Sequence, residues 1–192
     1  KKLSKKNKII LCVVSEGASA QYSDKRMIKI RKEACLKSGK ILGIKKFYFL
    51  DFPDMQLDII PHLEINKKLE KIIQKIKPEV VFTTPDNDYN KDHQKVYEST
   101  LVVTRPLSSN VKEVCCFELP GFTKKAFKPS MYVDVSKEYH SKIKAFKQYK
   151  SEVEKFPHPR SLESIENLMI QRGIESGLKK AEAFFIIRKI IN

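Results

Sequence analysis

Residues 80–93 read V-V-F-T-T-P-D-N-D-Y-N-K-D-H, and this stretch decides the fold. Its first four residues are β-branched or aromatic, so they predict a buried strand that ends before Pro85. Apolar residues at helical spacing follow, at Val96, Leu101 and Val103. The loop between the two elements holds three aspartates and one histidine. In open α/β sheets ligands bind at the carboxyl ends of the strands, so we expect a functional site in this loop.

The residues of this loop allow two interpretations. In the first, His93 offers a neutral imidazole to a metal ion, and Asp92 orients the ring or fixes its tautomer. In the second, the loop is a solvent-exposed Asp/Asn turn that caps the helix, and His93 is incidental. Both stay open at this point, because Asp and Asn are common in helix caps.

The chain up to this loop alternates strands with helices. Strands are predicted at residues 9–14, 47–50 and 80–83, and helices at residues 24–38 and from residue 63 to just before Pro78. Residues 9–14 form a continuous apolar run, typical of a strand buried on both faces of a parallel sheet. The alternation predicts such a sheet with right-handed crossovers. Acidic residues follow each strand, at Glu16, at Asp51 with Asp54, and in residues 86–92, so they would share one edge of the sheet.

The second half of the chain is less regular. It predicts strands at residues 114–118 and 131–135, a helix capped by Ser136, and a further helix capped by Ser161. The apolar run at residues 183–187 fits either a strand or a helix. We see no repeat, linker or second domain, so residues 1–192 are predicted to form a single domain.

Composition limits the class of protein. The 192 residues are 41% hydrophobic, which predicts a globular domain, and the apolar runs are too short to span a bilayer. The net charge is +15, but the lysines are spread along the chain, so we expect a lysine-rich surface and no specific nucleic acid. This charge suits an anionic substrate. The four cysteines form no CxxC motif and predict a reduced, cytoplasmic setting.

Several motifs resemble, in their order and spacing, the PIG-L/LmbE-like zinc N-deacetylases, and the resemblance runs nearly end to end. They are Ser15-Glu16-Gly17, Arg31 with Glu33, Leu42-Gly43, residues 49–54 (F-L-D-F-P-D), residues 88–93 (D-Y-N-K-D-H), Val103-Thr104-Arg105-Pro106, residues 132–136 (Y-V-D-V-S), His158-Pro159-Arg160-Ser161, Arg172-Gly173 and residues 181–184 (A-E-A-F). The resemblance implies a three-layer, Rossmann-like α/β sandwich with a mainly parallel sheet. It also implies hydrolysis of the N-acetyl group of N-acetylglucosamine units on sugar nucleotides, glycolipids or other conjugates, and it is compatible with a homo-oligomer.

The resemblance also assigns roles to residues. It implies a Zn²⁺ cofactor with His93 as one ligand, and a catalytic, ring-orienting role for Asp92. The substrate-binding positions that it implies are Arg31, Asp54, Asn90, His158 and Arg160. For His158 and Arg160, a proline-rich loop packed on the start of a helix is an equally good interpretation.

One motif of this family has no counterpart in these residues. It is the His-Pro-Asp-Asp-Glu segment, which supplies two further zinc ligands and the general base, and residue 1 here is a lysine. We expect the residues to be part of a longer enzyme, because loss of the central strand would expose apolar edges. Residues 1–192 alone would then be inactive. The alternatives are a non-catalytic or partner-completed protein of the same fold and, less favoured, a basic nucleic-acid-binding domain.

Overall fold

A computed structural model describes residues 1–121 and 123–191 of the chain. Strands and helices alternate along it, after a short 3-10 turn at Leu3–Lys5. The elements are β1 (Ile10–Ser15), α1 (Arg26–Leu42), β2 (Lys46–Phe52), α2 (His62–Ile76), β3 (Val80–Thr83), α3 (Lys91–Val103), β4 (Glu113–Phe117), β5 (Met131–Asp134), α4 (Tyr139–Phe146), α5 (Leu162–Ser176) and β6 (Ala181–Lys189). The predicted α/β class is confirmed.

The chain divides into two compact units. The first unit comprises Lys1–Asp54 and Val133–Glu182, and the second comprises Met55–Tyr132 and the chain from Ala183 onward. The boundary passes through β5 and β6, which both belong partly to each unit. The expectation of a single domain over residues 1–192 stays a prediction.

The first unit contains β1 and β2, which pair in parallel with Ile10 opposite Lys46 and Val13 opposite Phe49. Helix α1 approaches β2 closely, since a Cβ atom on Gly39 would lie 2.3 Å from the ring of Phe47. The prediction that residues 9–14 are buried on both faces is met only in part, because Val14 is buried while the residues of β1 before it are partly buried. Within the described residues β1 has one hydrogen-bonded neighbour, so it is an edge strand.

The other sheet has the strand order β3-β4-β6-β5. Strand β3 is parallel to β4, and β4 is antiparallel to β6. The core of the second unit includes Val114 and Cys115 of β4, which are fully buried. Helix α2 packs against α3, and its Ile65 and Leu69 are buried. Among the described residues the strands therefore form two sheets, where the sequence predicted one.

The ends of the later helices show which predicted caps are correct. The side chain of Ser161 caps α5 by accepting a hydrogen bond from Ser164 N at 3.0 Å, as predicted. The prediction for Ser136 is wrong, because α4 begins at Tyr139 and the Ser136 hydroxyl donates instead to Asp134 Oδ1. Residues 183–187 belong to strand β6. No helix within residues 1–121 and 123–191 is both long enough and apolar enough to cross a membrane.

Candidate functional site

His93 lies in the first turn of α3, at the point where the chain leaves β3. Its Nδ1 atom lies 2.8 Å from Asp88 Oδ2, and its side chain is 38% exposed against 14% for Asp88. A carboxylate beside Nδ1 favours the tautomer with the proton on Nδ1. The Nε2 lone pair of His93 is then available to a metal ion or a substrate proton.

The backbone around His93 is held in place by three polar groups. The Asn90 side chain caps α3 by accepting hydrogen bonds from Asp92 N at 2.8 Å and His93 N at 3.4 Å. Asp88 Oδ1 accepts from Asn90 N at 2.8 Å, and the Thr84 hydroxyl donates to the His93 carbonyl at 2.7 Å. The cap interpretation of this loop and the ligand interpretation of His93 are therefore compatible, since the cap fixes the backbone that carries the imidazole ring.

Asp92 has a different position from the one that the sequence predicted. It is 4% exposed, and its two carboxylate oxygens accept hydrogen bonds from Met55 N at 2.8 Å and Leu57 N at 2.9 Å. The carboxylate that contacts the His93 ring is that of Asp88 and not that of Asp92. Asp92 instead ties the segment that precedes α2 to the start of α3. The catalytic role of Asp92 stays a prediction.

The two adjacent thiols of β4 are packed side chains. Burial raises the pKa of Cys115 and of Cys116 to about 12, with Glu113 adding to the rise at Cys115 and Asp86 at Cys116. Since the thiolate is the form that binds metals and acts as a nucleophile, a raised pKa makes both thiols poor candidates for either role.

The first unit has its own polar centre after β1. The Glu16 carboxylate accepts hydrogen bonds from Ala18 N at 2.8 Å, Ser19 N at 3.1 Å and Asp54 N at 3.2 Å. Burial alone would raise the pKa of Glu16, but these bonds and one from the Ser19 hydroxyl outweigh it and lower the pKa. Glu16 thereby joins the turn after β1 to the end of β2, where Asp54 lies.

Two of the predicted substrate-binding residues meet at a third side chain, Glu152. Arg31 Nη2 lies 2.7 Å from Glu152 Oε1, and Arg160 Nη1 lies 2.5 Å from Glu152 Oε2. Arg31 and Glu152 are well buried, with 15% and 13% of their side chains exposed. The Nε atom of Arg31 is also buried and has no hydrogen-bond acceptor among the described residues. The two guanidinium groups and the single carboxylate of Glu152 give this cluster a net positive charge. Glu154, which lies 3.8 Å from Arg160, would balance that charge if it is included in the cluster.

We predict that Glu152→Ala lowers the free energy of unfolding by about 2 kcal/mol, because it leaves two guanidinium groups without their shared carboxylate in a partly buried place. The half-exposed Arg160 keeps this loss below that of a fully buried pair. Urea unfolding measures the change. The exposed Glu33→Ala is the control, and equal stability of the two variants would show that the Glu152 pairs contribute little.

His158 takes part in the loop rather than in the arginine cluster. Its Nδ1 atom accepts a hydrogen bond from Arg160 N at 3.0 Å, just before the Ser161 cap of α5. This agrees with the interpretation of a proline-rich loop packed on a helix start. The substrate role of His158 stays a prediction.

The predicted site residues thus form two groups, each within one unit. Asn90, Asp92 and His93 share the start of α3, while Arg31, Arg160 and Asp54 belong to the first unit. Sequence reasoning missed Asp88 as the partner of His93, although it belongs to the same acidic motif. It also missed Glu152, for which the sequence carries no local signal, because its partner Arg31 is distant in the chain.

His93 fits the role of one zinc ligand, but the described residues do not form a complete zinc site. A neutral imidazole supported by a carboxylate is a common zinc ligand, and His93 has this form. However, within residues 1–121 and 123–191 no three His, Cys, Asp or Glu side chains come together as a metal-binding group.

A comparison with models of known protein families identifies the family of this chain. The model of the PIG-L family, described as GlcNAc-PI de-N-acetylase, matches residues 1–104, which is more than half of the chain. The chain belongs to the PIG-L family. The matched residues include β1, β2, β3 and α3, so the His93 loop lies within the match.

One PIG-L relative is the uncharacterized deacetylase YaiS of Escherichia coli K12. The two chains are 28% identical over an alignment of 130 residues, and the alignment covers 63% of this chain and 65% of YaiS. The aligned part of this PIG-L chain therefore spans slightly less than two thirds of the length of that relative.

Two solved structures share the fold of this PIG-L protein. N,N'-diacetylchitobiose deacetylase from Pyrococcus horikoshii is 21% identical, with a TM-score of 0.77 over 97% of this chain and 76% of the other. GalB from Pseudomonas putida KT2440, a 4-carboxy-2-hydroxymuconate hydratase, is 17% identical, with a TM-score of 0.80 over 100% of this chain and 88% of the other. Since the two named reactions differ, the shared fold does not by itself identify a reaction.

Proposed function

We propose that this chain belongs to a zinc-dependent deacetylase that hydrolyses the N-acetyl group of an N-acetylglucosamine-type sugar on a larger conjugate. Membership of the PIG-L family supports the reaction class, and the names of YaiS and the Pyrococcus deacetylase agree with it. The observation that carries the proposal is the imidazole of His93, held by Asp88 at 2.8 Å with its other nitrogen available.

In this proposal His93 is one zinc ligand, through Nε2, and its remaining partners lie outside the described residues. A zinc ion bound there would polarise the amide carbonyl and lower the pKa of a bound water toward ~7. Asp88 would hold the ring in the ligand tautomer and raise its basicity. Asn90 and Thr84 would keep the backbone of His93 fixed, so that the imidazole loses little freedom on binding the metal. Asp92 would act only indirectly, by holding the start of α3, and so His93, in place.

The cationic residues of the first unit are proposed to favour an anionic conjugate. Arg31 and Arg160 share the carboxylate of Glu152, which leaves guanidinium groups that suit a phosphate or a pair of hydroxyls. Asp54, whose backbone is fixed by Glu16, is proposed to accept a hydrogen bond from a sugar hydroxyl. The net charge of +15 favours the same class of conjugate.

A second candidate is a non-catalytic or partner-completed protein of the same fold. The observation that favours it is the single histidine at the candidate site, together with the lack of a three-ligand group in the described part of the chain. The two candidates differ in zinc affinity and in turnover. A cytoplasmic location is proposed for both, since Cys12, Cys35, Cys115 and Cys116 are all free thiols.

The role of Asp88 gives a direct test of the zinc proposal. We expect Asp88→Asn to weaken zinc binding by about tenfold to a hundredfold, because an amide is a poorer partner for the imidazole Nδ1 proton. Zinc titration of the active form of the protein, followed by the NMR signals of the His93 ring, measures this without any substrate. His140, which is exposed on α4, provides an internal control ring whose signals should not move. Equal zinc affinity of the variant and the parent chain would remove Asp88 from the site, and His93 signals that never move would remove the zinc proposal.

A further inference from the structure

After β4 the chain returns to the loop that precedes α3. An isolated antiparallel bridge pairs Thr123 with Asp88, whose carboxylate contacts the imidazole of the candidate site. Lys124 N donates a hydrogen bond to the Asn87 carbonyl at 2.7 Å, and Asn87 Nδ2 donates to the Lys125 carbonyl at 2.8 Å. These contacts, all within the second unit, hold the backbone of Lys124 and Lys125 beside the candidate site. We call Lys124 and Lys125 the lysine pair.

The lysine pair is placed to reach a ligand that binds at the imidazole. Residues that face each other in an antiparallel pair have Cα atoms about 4.5–5.5 Å apart, and the lysine pair follows directly after the residue that faces Asp88. A lysine side chain is a flexible four-carbon stem that ends in an ammonium group with three donors. Both lysines are exposed. Neither ammonium group forms an ion pair with a carboxylate in the part of the chain that the structure describes, so both are available to a ligand.

The exposed charges around the lysine pair are mostly positive. Within residues 84–93, 118–121 and 123–130, one acid and four lysines are the exposed charged side chains: Asp86, Lys91, Lys124, Lys125 and Lys128. The other acids of these segments are engaged or half-buried, since Asp88 contacts the imidazole, Asp92 accepts from buried N–H groups and Glu118 is half-buried. Asp86 lies close enough to β4 to raise the pKa of the Cys116 thiol. The lysine pair therefore has a cationic surrounding on its solvent side.

We propose that the lysine pair binds a phosphate group next to the acetylated sugar and so selects phosphorylated conjugates. This inference rests on the proposed deacetylation, and it adds the group that is recognised and the residues that recognise it. An ammonium group binds phosphate as a point charge, and two neighbouring ones can donate to different oxygens of the same phosphate. A neutral sugar would gain nothing from the lysine pair. A nucleic acid is a poorer fit, because its binding depends on many phosphate contacts and two lysines supply few.

Calorimetric titration of the active form of the protein tests the proposal without turnover. The two ligands are glucosamine 1-phosphate and methyl glucosaminide, which carry no acetyl group and differ in the phosphate. The phosphate ester is expected to bind about tenfold more tightly or better, because its contacts to the ammonium groups are charge-assisted. The difference should shrink at high salt, which screens exposed charges. Equal affinity of the parent protein for the two ligands would overturn the proposal.

Variants at the lysine pair show whether these residues cause the preference. With Lys124→Gln and Lys125→Gln combined, the two ligands should bind about equally, whereas arginine at both positions should keep the preference for the ester. The control combines Lys75→Gln with Lys112→Gln. These exposed lysines of the same unit precede the parallel strands β3 and β4, whereas the lysine pair lies beyond their carboxyl ends. Both glutamine variants lose two positive charges, so an equal loss of preference would mean a general charge effect and would overturn the proposal.

Acetate release separates this inference from the proposed reaction. It is measured with N-acetylglucosamine 1-phosphate and with the methyl glycoside of N-acetylglucosamine. The glutamine variant of the lysine pair should raise the KM of the ester about tenfold more than that of the glycoside. Release from both substrates with equal kcat/KM would overturn the inference and leave the reaction in place. Binding of glucosamine 1-phosphate through the lysine pair without any acetate release would overturn the reaction alone, and the absence of both would overturn both.

Discussion

His93→Ala is expected to lower deacetylation by the active form of the protein by about a thousandfold or more, because a zinc ligand contributes several kcal/mol to the reaction and each 1.4 kcal/mol is about tenfold in rate. The imidazole is the candidate ligand in the described loop, and Asp88 alone offers no nitrogen donor. The fold should survive, since the ring is partly exposed. Acetate release from an N-acetylglucosamine conjugate and zinc content by mass spectrometry are measured on the same sample.

The control for this experiment is His140→Ala, which removes an exposed histidine from α4 and should leave both measurements unchanged. Residues 1–192 are assayed beside a form extended at its amino end, and they are expected to show no turnover alone, because one imidazole falls short of the three protein ligands of a catalytic zinc. Normal zinc content and normal turnover in His93→Ala would exclude His93 from the site. Full activity of residues 1–192 would contradict the proposal that ligands come from elsewhere.

Asp92→Ala is expected to lower the free energy of unfolding by about 3 kcal/mol, since it leaves the Met55 and Leu57 N–H groups without acceptors at a buried position. Asp92→Asn should lower it less, because the amide oxygen still accepts one of the two bonds. Urea unfolding gives both values. The exposed Asp58→Ala lies near the same segment and should change stability by less than about 0.5 kcal/mol.

The Asp92 variants also distinguish a structural role of this residue from a direct role in zinc binding. If Asp92 acts only by holding the segment before α2, zinc affinity should follow the folded fraction and should be normal in folded Asp92→Asn. Stability equal to that of the parent chain in Asp92→Ala would show that water replaces the lost carboxylate. A folded Asp92→Asn that no longer binds zinc would return Asp92 to the site itself.

The sequence determined most of the secondary structure because hydrophobic spacing is a local property. Strand β3 was predicted at residues 80–83 and is observed at Val80–Thr83, and the loop and helix that follow it are where the pattern placed them. The prediction that this strand is buried is wrong for Val80 and Phe82, which are 44% and 37% exposed. The Ser161 cap was also predictable, since a cap needs only the residues next to it. The same reasoning chose the wrong cap at Ser136, because the nearby Asp134 carboxylate competes for that hydroxyl.

Contacts between residues that are distant in the chain could not be predicted from hydrophobic spacing. Nothing local indicates that Glu152 joins Arg31 to Arg160, or that Asp92 binds the backbone of Met55. The short run at residues 183–187 was ambiguous for the same reason, because pairing with β4 makes it a strand. The number of sheets also depends on which edges find partners, and no single strand encodes that.

The sequence by itself therefore determined the family, the α/β order of elements and the position of His93 at the end of a strand. Only the tertiary structure decided which carboxylate orients His93, which one holds the neighbouring segment, and which apolar side chains stay exposed. The physical reason is that helix periodicity, strand pattern and capping act between near neighbours in the chain. Hydrogen bonds to buried carboxylates and the exposure of a side chain depend instead on groups that folding brings together.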